Sequence, residues 1–162
     1  MQIVRAAPAD LPAIRRIWNH YIETTTYNWR PQPLRDADIE SWFAAHTHPG
    51  HPVLVAKAGE AVLGFAALSA FREAAAYWPC AEDTIYLDPA ACGAGVGRAL
   101  MQRLCELGKA GGVEQVIAMI DGSNANSVAF HRKLGFCMVG TLRAIGEKNG
   151  MRCDCVVLQK GL

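Results

Sequence analysis

Apolar residues recur at Ile14, Ile17, Trp18, Tyr21 and Ile22, the i, i+3, i+4, i+7, i+8 spacing of one helix face. Asp10 stands ahead of this run as an N-cap, with Pro12 tolerated in the first turn, and the β-branched Thr24-Thr25-Thr26 discourages continuation. Before it, Ile3-Val4 reads as a short edge strand. Asp36 to His46 carries Ile39, Trp42 and Phe43 on one side and reads as a second helix, stopped by Pro49-Gly50. The period then changes. Val53-Leu54-Val55-Ala56 and Val62 to Leu68 are apolar runs around Gly59-Glu60, which predicts a hairpin. Glu82 to Leu87 is a further strand, ended by Asp88-Pro89.

A glycine-rich turn, Gly93 to Gly97, leads into Val96, Leu100, Leu104 and Leu107 at helical spacing, and Gly111-Gly112 stops that helix. Val113 to Ile120 reads as a buried strand, and Asp121 to Asn124 turns into a short helix ending at Gly135. Two last strands, around Phe136 to Ile145 and Met151 to Leu158, flank the turn Lys148-Asn149-Gly150. The order β-α-α-β-β-β-α-β-α-β-β predicts an α/β (α+β) chain: a mixed sheet with helices on both faces. There is no internal repeat or long linker, so residues 1–162 read as one domain.

Composition changes the picture in a few places. Just over half the residues are apolar, enough for a core without staples, and the net charge is only +1. No basic stripe stands out, which disfavours a nucleic-acid partner. The N-terminus lacks the features of a signal peptide, and no apolar run nears the ~20 residues that span a bilayer, so a cytoplasmic chain with no membrane partner is expected. The six cysteines are then expected as free thiols, with Cys153 and Cys155 on one face of a strand. His46, His48 and His51 cluster near Pro49-Gly50 without a Cys or carboxylate at ligand spacing, so no metal is expected.

The most informative segment is Ile85-Tyr86-Leu87-Asp88-Pro89-Ala90-Ala91-Cys92-Gly93-Ala94-Gly95-Val96-Gly97-Arg98: a strand, a glycine turn, a helix. Glycine admits positive φ and close approach of a ligand, and the helix start offers free N–H groups. A phosphate cradle and a plain tight corner both fit this pattern. A P-loop is excluded because no Lys follows Gly97, and a dinucleotide fingerprint because its spacing differs.

The segment Gly95-x-Gly97 with its helix, then Asn124 and Leu134-Gly135-Phe136, resembles the GNAT acetyltransferase superfamily. Within it the chain is similar to the phosphinothricin and methionine sulfoximine acetyltransferases. The resembling stretches are Asn19-His20-Tyr21-Ile22-Glu23-Thr24-Thr25, Ala81-Glu82-Asp83-Thr84-Ile85-Tyr86-Leu87, Asn126-Ser127-Val128 with His131, and Gly140-Thr141-Leu142-Arg143 through Lys148-Asn149-Gly150 to Asp154. They cover nearly the whole chain in order. The resemblance implies a GNAT-type, mostly antiparallel central sheet, acetyl-CoA as co-substrate, a small-molecule amine as acceptor, and a homodimer with the acceptor pocket near the subunit contact. It implies that the cofactor arm lies along Ile85, Tyr86 and Leu87 as an added strand would. The pyrophosphate would rest on the amides of Gly93, Ala94, Gly95, Val96, Gly97 and Arg98, with Asn124 holding the arm from the other side. Cys92 departs from the Arg or Gln usual in the superfamily, which removes one donor from the cradle.

Acetyl transfer to an amine needs a base for the ammonium, a donor for the oxyanion and a proton for the departing thiolate. Glu82 opens an otherwise apolar strand and is the candidate base, acting through water. His131, seven residues after Asn124 and so nearly on the same helix face, is the candidate acid or relay to the thiol. A backbone N–H near Leu87 is the simplest oxyanion donor. By resemblance Arg72, Glu73, Ala74, Asp83 and Thr84 line the acceptor pocket, with Arg72 gripping a carboxylate or phosphinate. Tyr27, Trp29, Tyr77 and Trp78 are candidate aromatic walls. Ala74 and Cys80 depart from the relatives' bulky group and Thr. A peptide N-acetyltransferase on the same fold and a non-catalytic acetyl-CoA sensor are the competing readings.

Overall fold

The computed structural model describes all residues, Met1–Leu162. Seven strands and four α-helices follow one another along the chain: β1 (Gln2–Arg5), α1 (Leu11–Thr24), α2 (Asp36–Ala44), β2 (Val53–Ala58), β3 (Ala61–Ala70), β4 (Cys80–Leu87), α3 (Val96–Ala110), β5 (Gln115–Asp121), α4 (Ala125–Lys133), β6 (Cys137–Lys148) and β7 (Met151–Gly161). The predicted element order holds throughout. The last two strands run longer than their apolar cores, because each continues as a ladder into the turn at Asn149-Gly150.

The strands form one sheet in the order β1-β2-β3-β4-β5-β7-β6. Every neighbouring pair is antiparallel except β4–β5. The mostly antiparallel central sheet that the resemblance implies is therefore present. β7 returns inside β6 and pairs with β5 along the whole strand, from Gln115↔Gly161 to Asp121↔Cys155.

Strand alternation divides the core in two. On one face Leu54, Ala56, Ala66 and Leu68 pack with Leu100, Met101 and Leu104 of α3. On the other, Val53, Val55, Phe65 and Ala67 pack with Ile14, Ile17, Trp18 and Ile22 of α1 and Ile39 of α2. The residues that define the α1 period are thus buried, with Ile14 and Ile17 fully so. Cys153 and Cys155 share a buried face, and all six cysteines are free.

One local expectation changes, and the histidine cluster takes on a definite arrangement. Asp10 occupies the N-cap position of α1 without a capping bond from its side chain. Its carboxylate instead accepts from Ala7 N–H at 3.0 Å and meets Lys57 Nζ at 2.5 Å, fastening the turn before α1 to β2. The histidines after α2 pack rather than converge: His46 bridges Trp42 C=O and Ser69 Oγ, while His48 and His51 lie against the Trp78 ring.

Candidate active site

The site begins with a strand pair that stops pairing. β4 and β5 are matched over only three residues, Cys80↔Gln115, Ala81↔Val116 and Glu82↔Ile117. β4 stays laddered to β3 as far as Leu87, and β5 to β7 as far as Asp121. Their outer edges are held while their facing edges part, and a fork opens inside the sheet. A cleft of about 770 Å³ occupies it, within the usual range for a small-molecule site. α1 contributes Trp18 and Tyr21 to its walls, and α4 contributes Ser127, Phe130 and His131.

Glu82 sits at the vertex, in the last matched pair, and lines the cleft. Burial pushes its carboxyl up, the Asp83 charge adds to this, and Arg72 opposes it. Asp83, the next residue, points to the other face of the sheet. There its Oδ2 lies 3.1 Å from His131 Nε2, and both side chains are almost fully buried. The other oxygen, Asp83 Oδ1, is buried without a hydrogen-bond partner. Burial alone lowers the basicity of His131, but the bond to Asp83, its charge and the Ser127 carbonyl outweigh burial and raise it.

The far end of the fork is the glycine turn. Gly93 and Gly95 both have φ of +81°, in the left-handed region, and a Cβ at either would meet nothing within 4 Å. The turn is therefore open on that side. The first amides of α3 have no partner within the helix and face that end of the chain. Gly95 is the N-cap of α3. Gly93 and Gly97 line the cleft, as does Cys92; Ala94, Gly95 and Arg98 are exposed beyond it, and Val96 turns its side chain into the core. An open turn of free amides at the mouth of a fork with two unpaired strand edges suits a phosphate-bearing, extended cofactor.

Asn124 lines the cleft, but its Oδ1 is already committed: it accepts from Ser127 N–H at 3.1 Å and caps α4. Ile85, Tyr86 and Leu87 form the β4 wall, with Thr84 beside them. Tyr21 donates its hydroxyl to Leu87 C=O at 2.9 Å, fixing the end of the strand, and burial with the nearby Cys92 lifts that phenol to about 12. Arg72, Glu73 and Ala74 are exposed and stand outside the cleft lining, with the Arg72 guanidinium 4.4 Å over the Phe71 ring. Of the four aromatic candidates, Tyr27 and Trp29 line the cleft, and Tyr77 and Trp78 are exposed elsewhere.

Sequence reading missed one structural anchor of the cleft wall. Asp121, taken as a turn residue, is buried and accepts from Trp29 Nε1 at 2.7 Å, Ser123 N–H at 2.9 Å and Ser123 Oγ at 2.5 Å. Burial would raise its carboxyl, but these donors prevail and hold it below the usual aspartate range. Its position at the end of an apolar strand before Gly122 was the only signal.

The Acetyltransferase (GNAT) family model matches residues 14–136, and the chain belongs to that family. It is 36% identical over 159 residues to the L-methionine sulfoximine/L-methionine sulfone acetyltransferase of Pseudomonas paraeruginosa, spanning 97% of this chain and 92% of that one. The crystal structure of a phosphinothricin acetyltransferase from Sinorhizobium meliloti in complex with AcCoA is similar with a TM-score of 0.94 at 36% identity, over 99% of this chain and 88% of that one. A ribosomal-protein-alanine N-acetyltransferase from Brucella melitensis is similar with a TM-score of 0.96 at 34% identity, over the whole of both chains. The protein is an acetyl-CoA-dependent N-acetyltransferase.

Proposed function

We propose that the acceptor is a small amino acid carrying a tetrahedral sulfur or phosphorus group, of the methionine sulfoximine, methionine sulfone or phosphinothricin type. The observation that supports this reading is Glu82 at the vertex of the fork, a carboxyl held basic by burial, where an acyl group placed between β4 and β5 would meet its acceptor. The names of the similar enzymes supply the substrate class.

In this reading Glu82 takes the ammonium proton through water. The amides from Gly93 to Arg98 hold the pyrophosphate, Ile85, Tyr86 and Leu87 align the arm, and Asn124 steadies it. His131 gives a proton to the departing thiolate. Asp83 and Thr84 border the reacting end, and Arg72, with Glu73 and Ala74, forms the outer rim that meets the acceptor's acidic group. The likeness to a ribosomal-protein-alanine N-acetyltransferase supports a second reading, a peptide N-terminus as acceptor.

The reading includes a homodimer, supported by the exposed apolar row Met138, Val139, Leu142 and Ile145 on the outermost strand β6. Sedimentation as a monomer overturns that part.

The deciding experiment is release of CoA thiol from acetyl-CoA with a panel of amines. The panel holds phosphinothricin, methionine sulfoximine, methionine sulfone, plain amino acids, polyamines and short peptides. Rapid release with the sulfur and phosphorus amino acids alone is expected. Release with peptides alone establishes the second reading, and release with another small amine discards the proposed acceptor class.

A further inference from the structure

Both ring nitrogens of His131 face acceptors. Nδ1 lies 2.8 Å from Ser127 C=O, with Ser127 Oγ at 3.3 Å beside the same bond, and Nε2 lies 3.1 Å from Asp83 Oδ2. A carbonyl only accepts, and so does a carboxylate. A neutral imidazole has one donor and one acceptor nitrogen, so it satisfies one of these partners and sets a lone pair against the other. The side chains of His131 and Asp83 are 2% and 3% exposed, which leaves no solvent to separate two opposed acceptors. The rings of Phe130 and Phe136 stand edge-on at 5.0 Å each and confine the imidazole to this orientation.

We infer that Asp83 is a positioning residue that holds His131 as the imidazolium, with Nε2–H on Asp83 and Nδ1–H on Ser127, so that the ring enters each acetyl transfer already carrying the proton for the departing thiolate. This rests on the reading of His131 as the acid. When the thiolate takes that proton, the Nε2–H bond breaks and an S–H bond forms. The ring is left neutral, keeping Nδ1–H on Ser127. Its Nε2 lone pair then opposes the Asp83 carboxylate, and this contact favours recapture of a proton delivered through the cleft that both residues line, which resets the site.

The surrounding charges agree. Asp83 on β4 is the anion in hydrogen-bond reach, with Glu82 next to it on the same strand. From α3, Cys105 feels both Asp83 and Lys160 of β7, and Lys160 donates to Leu134 C=O at 2.6 Å, 5.9 Å from the Phe136 ring centre. On α4 itself, Arg132 and Lys133 oppose a further positive charge, while the carbonyl end of the helix dipole, whose last turn includes His131, favours it.

The test is the nitrogen NMR spectrum of the full-length protein labelled at histidine, with the His131 signals identified by their absence in His131→Gln. At neutral pH both ring nitrogens of His131 are expected at protonated shifts in the wild type, and the neutral Nδ1–H tautomer in Asp83→Asn. In the same variant kcat should fall about 10²-fold, as for loss of a general acid, with KM for acetyl-CoA unchanged. The basic limb of its kcat–pH profile should move to lower pH, because the ring then loses its proton earlier. A neutral His131 in the wild type, or an unmoved basic limb in Asp83→Asn, overturns the inference. If Asp83→Asn does not fold, the wild-type spectrum still decides. That spectrum reads the ring without turnover, so it stands or falls apart from the acceptor assay.

Discussion

Glu82 and Ile117 are the last residues matched across β4 and β5, and the sheet forks immediately beyond them. Glu82 is thereby anchored by backbone pairing on the closed side and faces the cleft on the open side. Glu82→Gln keeps the shape and removes the basicity. We predict a fall in kcat of about 10²–10⁴-fold, the usual worth of a general base, with KM for acetyl-CoA little changed. In the wild type the acid limb of kcat/KM should lie above the ordinary glutamate range, since burial raises this carboxyl and the base works only when ionised. Steady-state kinetics across pH check both, and wild-type turnover in the variant removes Glu82 from its role.

Arg72 acts on the same carboxyl from outside the cleft, where its charge holds the Glu82 carboxyl lower than burial alone would. Arg72→Ala should therefore move the acid limb further toward neutral pH and raise KM for the amine. A raised KM with an unmoved limb would make Arg72 a substrate contact alone.

Cys92 lines the cleft beside the glycine turn and is exposed. A guanidinium there adds a forked donor to the cradle. Cys92→Arg should tighten acetyl-CoA binding, and the gain should shrink as salt is raised. Calorimetry at two ionic strengths measures this; equal affinity at both would mean that the position meets no phosphate.

Lys148 is buried 5% exposed, and its Nζ donates to Ile22 C=O at 2.9 Å and to Arg30 C=O. It ties the β6–β7 turn to the segment carrying Tyr27 and Trp29. Lys148→Met leaves two carbonyls without that donor and should cost about 1–3 kcal/mol in denaturant unfolding, the usual penalty for a buried polar group left unpaired. KM for the amine should rise more than KM for acetyl-CoA, because the loosened segment lines the acceptor side. A variant of wild-type stability would show that the ammonium is replaceable.

What the sequence made legible was local. The α1 period, the Val53–Leu68 hairpin and the glycine turn each follow from neighbours a few residues apart, and each stands where the pattern puts it. What it hid depends on residues far apart in the chain. Nothing near Glu82 announces that β4 and β5 stop pairing there, because the parting is enforced by β3 and β7 on their outer sides. Asp83 reads as one more pocket residue until α4 brings His131 to it across 48 positions. Lys148 sits in a Lys-Asn-Gly turn that reads as solvated, and only the fold carries it under the carbonyl end of α1.

A sheet normally keeps its bare edges at its rim, where they recruit strands from other chains and have to be blunted. Here a second pair of bare edges lies between β4 and β5, walled by α1 and α4. In the proposed reading the gap works as a gauge of width: a slim extended arm would fit it and find, on either side, the backbone partners that a missing strand would have taken.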